Sequence, residues 1–301
     1  MKRIATLGPA TFSEESVQYY FGTEQYEYLP FKGIDEVFGA TVNGTADYGV
    51  IPIENTLEGS VRNHLDTIVH EVDLPIQAEW LYPIRMNLLG LTASSAEESG
   101  AGGDPDRPYA GIRKVLTHHA APAQCSVFLK THLPHAQVDI VSSTAEGARL
   151  VREYGDPSIA AISPLAPAKL YGLNVLAPDI QDHDANVTRF IMIGREPIAL
   201  TNREGLPKTT ILVQLAEDFP GALHQVLAAF AWRRINLTRI ESRPTRKKLG
   251  SYYFYIEVEG SLDSVLIPAA LEEIRAIGCQ VRLLGSYSSY TFEASTVRSK
   301  A

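Results

Sequence analysis

Four short clusters carry the side chains best suited to hold a small metabolite rich in oxyanions: Thr11 with Ser13; Glu54-Asn55-Thr56 with Glu58-Gly59-Ser60; Ser142-Ser143-Thr144; and Asn186-Val187-Thr188-Arg189-Phe190. Hydroxyls, amides and helix N-terminal N–H groups receive carboxylates without needing a basic surface. Arg189 adds one full positive charge. The same Ser and Thr groups also read as ordinary helix caps, and Arg189 as a salt-bridge partner of Asp182 or Asp184. Asp182-His183-Asp184 has metal-ligand types, but neighbours in extended chain point to opposite sides, so a solvated turn is expected there and no metal site. His118 and His119 end one strand and precede a helix, a common location for active-site groups in α/β folds, although one packed and one exposed histidine fits as well. No G-x-G-x-x-G, P-loop or G-x-S-x-G occurs, and no cofactor is expected.

Such clusters need strand ends and helix starts to hold them. Strands are expected at Arg3 to Leu7, Tyr48 to Ile53, Gln137 to Val141, Ile159 to Ile162 and Phe190 to Ile193. Between them fall helices at Ser13 to Tyr20, Gly33 to Asn43, Val61 to His70, Ala123 to His132, Thr144 to Glu153 and Leu165 to Tyr171. The alternation implies an α/β region with parallel strands. Ser94 to Pro108, full of Gly, Ser, Asp and Pro, reads as a surface loop, and Glu196 to Lys208 as a boundary. Beyond it, strand, helix, strand, strand, helix, strand gives the ferredoxin-like βαββαβ order, with helices on one face of an antiparallel sheet. Residues after Tyr287 read as a tail.

The 301 residues suggest two or three domains. Of the net charge of -8, residues 1 to 206 hold -11, from 15 basic and 26 acidic side chains, which argues against a nucleic-acid surface. The longest stretch without a charged residue is the 15 residues from Val115 to Leu129, too short to span a membrane, and no secretory leader is evident. The cytoplasm is the expected compartment. Cys125 and Cys279 fall in separate domains and read as buried thiols.

Thr188-Arg189-Phe190 in this setting resembles the signature of prephenate dehydratases. Pro52-Ile53-Glu54-Asn55-Thr56-Leu57-Glu58-Gly59-Ser60-Val61 is similar to that family's first long motif, and Ser143-Thr144-Ala145-Glu146 and Tyr171-Gly172-Leu173 follow in order. Pro220-Gly221-Ala222-Leu223 and Glu241-Ser242-Arg243-Pro244 resemble motifs of the attached ACT regulatory domain. The likeness covers about residues 3 to 285. Two departures stand out: Leu7-Gly8-Pro9-Ala10-Thr11-Phe12-Ser13 is one residue shorter than the usual first motif, and His118-His119-Ala120-Ala121 stands where many members read His-Pro-Gln-Ala.

The resemblance implies two α/β lobes facing a cleft, similar to type 2 periplasmic binding proteins, followed by a ferredoxin-like ACT domain. Residues 1–196 would be catalytic (lobe 1 about 1–80 and 186–196, lobe 2 about 81–185), 197–207 a linker, 208–287 regulatory and 288–301 a tail. A monofunctional enzyme is implied, turning prephenate into phenylpyruvate without metal or cofactor, as a homodimer or homotetramer under feedback by phenylalanine. Thr188 would meet the departing hydroxyl and Arg189 a carboxylate or the cleft wall. Asn55, Thr56, Ser143 and Thr144 would act as neutral donors, Thr11 and Phe190 would complete the substrate site, and Glu54, Glu58 or His118 would supply the proton. For the effector, the helix opening at Gly221 would receive the carboxylate, Asp218 the ammonium, Ala222 and Leu223 the ring. Glu241, Ser242, Arg243 and Pro244 would face that site from a partner chain. The plainer alternative is that Gly-Ala-Leu only starts a packed helix and Arg243 pairs with Glu241. Rival functions are arogenate dehydratase, prephenate decarboxylase and a non-catalytic amino-acid sensor.

Overall fold

The computed structural model describes residues 1–91, 109–198, 200, 203–246 and 250–292. The expected loop at Ser94 to Pro108 and residues 293–301 of the expected tail lie outside these. Lobe 1 runs through β1 (Lys2–Leu7), α1 (Phe12–Phe21), β2 (Tyr26–Phe31), α2 (Ile34–Val42), β3 (Tyr48–Asn55), β4 (Gly59–Ser60), α3 (Arg62–His70) and β5 (Ile76–Pro83). β1 pairs parallel with β2 and β3. Pro30 is tolerated because β2 sits at the end of the sheet, where a missing N–H breaks no central ladder.

Lobe 2 contains β6 (Asn87–Gly90), β7 (Lys114–Thr117), α4 (Ala121–Gln124), α5 (Ser126–His132), β8 (Gln137–Ile140), α6 (Thr144–Tyr154), β9 (Ile159–Ser163), α7 (Ala166–Tyr171) and β10 (Asn174–Ala177). Its five-stranded sheet has the order β10-β6-β9-β7-β8. Helix α6 lies close on β7, since a Cβ at Gly147 would stand 2.8 Å from the Leu116 carbonyl oxygen. The single helix expected over Ala123 to His132 is two, broken at Cys125 with φ -123 and ψ 27.

The chain then returns to lobe 1 as β11 (Val187–Gly194), inserted antiparallel between β3 and β5. This makes the lobe 1 sheet mixed, and the lobe 2 sheet is mixed as well, β6 pairing antiparallel with β9 and β10 while β7 pairs parallel with β8 and β9, which corrects the expectation of parallel strands. Alternating β and α signals fix element order, but not the direction in which a returning strand enters the sheet.

The last region comprises β12 (Leu206–Gln214), α8 (Ala222–Ala231), β13 (Leu237–Pro244), β14 (Tyr252–Glu259), α9 (Leu266–Ala276) and β15 (Gln280–Tyr290). Its strands run antiparallel in the order β13-β14-β12-β15, and Val226, Phe230, Ile267 and Ile274 of the helices cluster with Ile211, Val213, Ile256 and Val258. The opposite face rests on lobe 1: Leu212, Tyr255 and Tyr287 share a core with Leu65, Ile68 and Ile76. The two sheets also join edge to edge, because Ser288, Ser289 and Tyr290 pair parallel with Ala78, Glu79 and Trp80.

That junction corrects two boundaries. Residues 288–290 are strand rather than tail, with the Tyr290 hydroxyl accepting from Leu200 N at 3.1 Å. Strand β12 begins at Leu206, inside the expected linker. Ser288-Ser289 carries no apolar signal because backbone pairing with β5 places these residues. Gly285 permits the approach: a Cβ there would lie 2.4 Å from the Ile76 carbonyl oxygen.

Candidate active site

The cleft between the lobes encloses a cavity of about 310 Å³. Lobe 1 brings Thr11, Asn55 and Glu58 to it, lobe 2 brings His118, Gln124, Ser143 and Thr144, and β11 brings Thr188 and Phe190. A neighbouring cavity of about 470 Å³ shares Lys32, Ser142 and Ser143 with the first. The clusters singled out in the sequence thus converge from three segments far apart in the chain.

Thr188 is held by its neighbour across the ladder. β11 and β3 place Thr188 opposite Asn55, whose Nδ2 donates to Thr188 Oγ1 at 3.0 Å and to Asn186 Oδ1 at 2.8 Å. Asn55 Oδ1 in turn accepts from Leu57 N at 2.9 Å, which fixes the amide orientation. The Thr188 hydroxyl therefore accepts from the protein and keeps its own proton for a cleft ligand. Gln124 ties the two lobes together here: its Nε2 donates to Glu58 at 3.1 Å and its Oε1 accepts from Asn186 at 2.9 Å. Sequence reasoning passed over Gln124, whose only signal is an amide inside the charge-free stretch from Val115 to Leu129.

Several expected donors are engaged elsewhere. Thr11 is the N-cap of α1, donating to Leu7 O, and Ser143 caps α6 by accepting from Glu146 N at 3.0 Å. Both still border the cavity, so capping and lining coexist. Thr56 does not reach it, because its hydroxyl donates to Ala185 O at 2.8 Å and accepts from Val187 N at 3.0 Å, pinning the crossover. Phe190 is 1% exposed and stacks on Trp80, making it a wall of the core that grazes the cleft.

Arg189 is the main correction. Successive strand residues face opposite ways, so with Thr188 in the cleft Arg189 points behind the sheet. Its guanidinium meets Glu54, Glu257 at 2.5 Å and Glu79 at 3.3 Å. Neither proposed alternative partner is involved: Asp182 accepts from Ser126 N and Val127 N at the start of α5, and Asp184 pairs with Arg85 at 2.6 Å. Glu54 is likewise withdrawn from the proton-donor candidates, leaving Glu58 and His118. The cation the cleft does present is Lys32, which borders both cavities and makes no salt bridge among the described residues. No sequence pattern selects it, since a lysine beside glycine in a polar turn looks like ordinary surface.

Burial, followed by the neighbouring His119, pushes the His118 pKa below its ordinary value of 6.5, although Glu58 opposes this. Burial also lowers His64 and His70. In the folded chain these rings hold a proton less readily than when unfolded, so their stabilisation is lost as pH falls below about 6.5. Glu257 shifts downward, because Arg189, Lys208 and Arg239 together outweigh the upward effect of burial, and its contribution fades at still lower pH. Urea midpoints should hold level from pH 8 to about pH 7 and fall from there to pH 5; a profile flat throughout would contradict these assignments.

Of the proposed effector residues, Asp218 borders a cavity of about 520 Å³ with Gln214, Tyr252 and Phe254. Gly221, at φ +100, is the N-cap of α8, while Ala222 is buried in the domain core and Leu223 lies in the first turn. Ser242 and Pro244 alternate with Glu241 and Arg243 along β13. Glu241 accepts from Ser60 at 2.8 Å and pairs with Arg239 and Arg243, and Arg243 Nε donates to Asp66 at 2.7 Å. Within one chain, then, Glu241 and Arg243 face lobe 1 and do not meet Asp218, and the pairing of Arg243 with Glu241 is present.

The comparisons with known proteins agree with this architecture. The family described as Prephenate dehydratase matches residues 4–198, and that described as ACT domain matches residues 209–278. A prephenate dehydratase of Bacillus subtilis (strain 168) is 39% identical over 294 residues, covering 96% of this chain and 99% of the relative. A prephenate dehydratase from Arthrobacter aurescens, determined in complex with L-Phe, has 37% identity and a TM-score of 0.80, with 95% of this chain and 90% of that one covered. A protein described as a quorum-quenching acylase, GqqA, also reaches a TM-score of 0.80 at 26% identity, covering 96% of this chain and 98% of its own, so the fold by itself does not fix the reaction. Matches that take in nearly the whole chain, on a scaffold whose cleft assembles the family's motifs, show that the chain belongs to the prephenate dehydratase family.

Proposed function

We propose that the chain converts prephenate to phenylpyruvate, carbon dioxide and water, and that this reading rests above all on the Thr188 hydroxyl, which accepts from Asn55 and lines the cleft with its own proton available to a ligand. In the substrate, the bond from ring carbon to carboxylate breaks, its electron pair completes the aromatic ring, and the hydroxyl across the ring departs, taking one proton to leave as water. Aromatisation drives the reaction. The protein has to polarise the departing hydroxyl more strongly in the transition state than in the ground state, and hold two carboxylates without favouring the reactant. Thr188 serves the first need. Lys32 and the N-terminal N–H groups of α6, beside Ser143 and Thr144, serve the second. Glu58 or His118 provides the proton, since threonine is itself a poor acid.

Purified protein incubated with prephenate should release phenylpyruvate. A product retaining the hydroxyl would indicate a decarboxylase, faster turnover of arogenate would indicate an arogenate dehydratase, and tight binding without turnover would indicate a sensor. Residues 1–196 form the catalytic part and 206–290 the regulatory part of this proposal, the family matches on either side of residue 200 supporting the division.

Phenylalanine is the effector in the same reading, supported by the L-Phe bound to the Arthrobacter aurescens relative and by the cavity beside Asp218. Asp218→Asn removes the charge that would meet the effector's ammonium at a solvent-exposed position. It should raise the half-inhibiting phenylalanine concentration about fivefold, below the full value of a buried charged hydrogen bond; an unchanged value would move the effector elsewhere. A homodimer or homotetramer fits the apolar side chains left open on the C-terminal region, among them Trp232, 83% exposed, and Val265, 84% exposed. Among the described residues no helix is long and apolar enough to cross a membrane, and the cytoplasm is the compartment we propose.

A further inference from the structure

The structure assigns a role to the buried ion cluster behind β11: we propose that Arg189 is a positioning residue for Thr188, and that the C-terminal domain acts on the reaction by moving it. The inference rests on the dehydratase reading above. Arg189 and Glu54 form an ion pair directly beside the Thr188 and Asn55 pair in the same ladder, with an irregularity between Arg189 and Phe190. Any shift of the ion pair thus displaces both ends of the hydrogen bond that orients the Thr188 hydroxyl.

The other arms of the cluster come from the C-terminal sheet. Lys208 of β12 reaches Glu79 of β5 at 2.5 Å, and Glu257 of β14 reaches Arg189 at 2.5 Å. Glu79 and Glu257 are 1% and 0% exposed, so neither charge can be left to water when a partner moves. At the far end of the same two strands, Gln214 of β12 and Phe254 of β14 border the cavity containing Asp218. From Gln214 to Lys208 the strand spans about 20 Å of stiff, paired backbone. Two rigid strands therefore run from the proposed effector cavity to the group behind Thr188.

The cluster also reaches a third strand of the C-terminal sheet, β13. Arg239 Nη1 and Glu257 Oε1 are both buried without a hydrogen bond, yet they lie 3.6 Å apart across the β13 and β14 ladder, Arg239 opposite Glu257. Glu257 is held between two guanidinium groups, Oε2 on Arg189 at 2.5 Å and Oε1 toward Arg239, so a shift of β13 against β14 pulls on the carboxylate that holds Arg189. A ligand that binds one position of these strands more tightly than another would bias the cluster, and with it Arg189. The cluster is therefore a continuous chain of ion pairs and paired strands shared by both sites.

The test is a double-mutant cycle in the full chain. Glu257→Gln should lower kcat by about 3- to 20-fold, with KM for prephenate little changed and the maximal inhibition by saturating phenylalanine reduced. In a Thr188→Val background the same substitution should have almost no further effect on kcat, because its action passes through Thr188. Lys208→Met provides a second variant, with the same expected pattern, should Glu257→Gln fail to fold. A folded variant with wild-type kcat, a kcat effect that persists undiminished without Thr188, or maximal inhibition unchanged would each overturn the proposal, even if thermal stability fell. Absence of phenylpyruvate with the wild-type protein would instead sink the activity reading, and the coupling with it.

Discussion

Thr188→Val should lower kcat by about 10²- to 10³-fold while leaving the fold intact, the loss expected when one donor acting at the transition state is removed. Valine has nearly the shape of threonine, and β11 is a strand in which a β-branched residue is at home. The substitution leaves Asn55 Nδ2 short of one acceptor, but the amide still donates to Asn186 at 2.8 Å. Loss of activity would therefore not reflect collapse of the site. Since substrate binding draws on carboxylate contacts away from Thr188, KM should change much less than kcat. Thr188→Ser should recover a large part of the rate, because it restores the donor but not the methyl group. The check is steady-state kinetics on variants whose circular dichroism and urea midpoints match the wild type. A folded Thr188→Val with near wild-type kcat would transfer the role to Glu58 or His118.

Thr188 and Arg189 show what could be read from the sequence and what could not. Polar clusters at strand ends and helix starts are local features, and Thr11, Asn55, Ser143, Thr144 and Thr188 all reach the cleft. The helices and β1, β3, β8, β9 and β11 were equally legible and the antiparallel C-terminal sheet follows its expected order, whereas β2, β5, β6 and β10 were not expected. Arg189 was placed wrongly because its partners lie on three other strands, one in a different domain. A charge beside a strand end looks the same whether it faces ligand or a buried carboxylate. Glu79 and Glu257 illustrate the converse: each is a charge within a largely apolar strand, and such a residue ordinarily marks a solvent-facing position. Only the docking of two sheets edge to edge makes burial of these charges tolerable, and that docking involves Ser288 and Ser289, which carry no pattern at all. Local signals thus recovered the groups facing the substrate, whereas the groups behind them depend on contacts that no window of sequence contains.

Lys32→Met should reduce kcat/KM by about 10- to 100-fold, chiefly through KM, which corresponds to losing a hydrogen bond to a charged partner. The substrate brings two carboxylates into a cleft bordered by Glu58, and the region up to residue 206 is strongly acidic, so binding needs a compensating cation. Arg189 cannot provide it, as its guanidinium is already shared among three carboxylates. Arg149 borders the adjoining cavity but is committed to Glu146 and Glu153 at 2.8 Å each. Lys32 is left, projecting from the turn between β2 and α2, where it makes no salt bridge among the described residues and borders both cavities. The lysine is solvent-exposed, so its attraction for substrate is screened by salt. KM of the wild-type protein should therefore rise with ionic strength, and the slope should flatten in Lys32→Met. Lys32→Arg keeps the charge and should restore much of the affinity, although its planar fork will not reproduce an ammonium's geometry. Methionine retains the apolar stem and neighbouring packing, so stability should be unaffected. If KM of Lys32→Met stayed within twofold of wild type at low salt, the carboxylates would be held by the N-terminus of α6 and neutral donors alone.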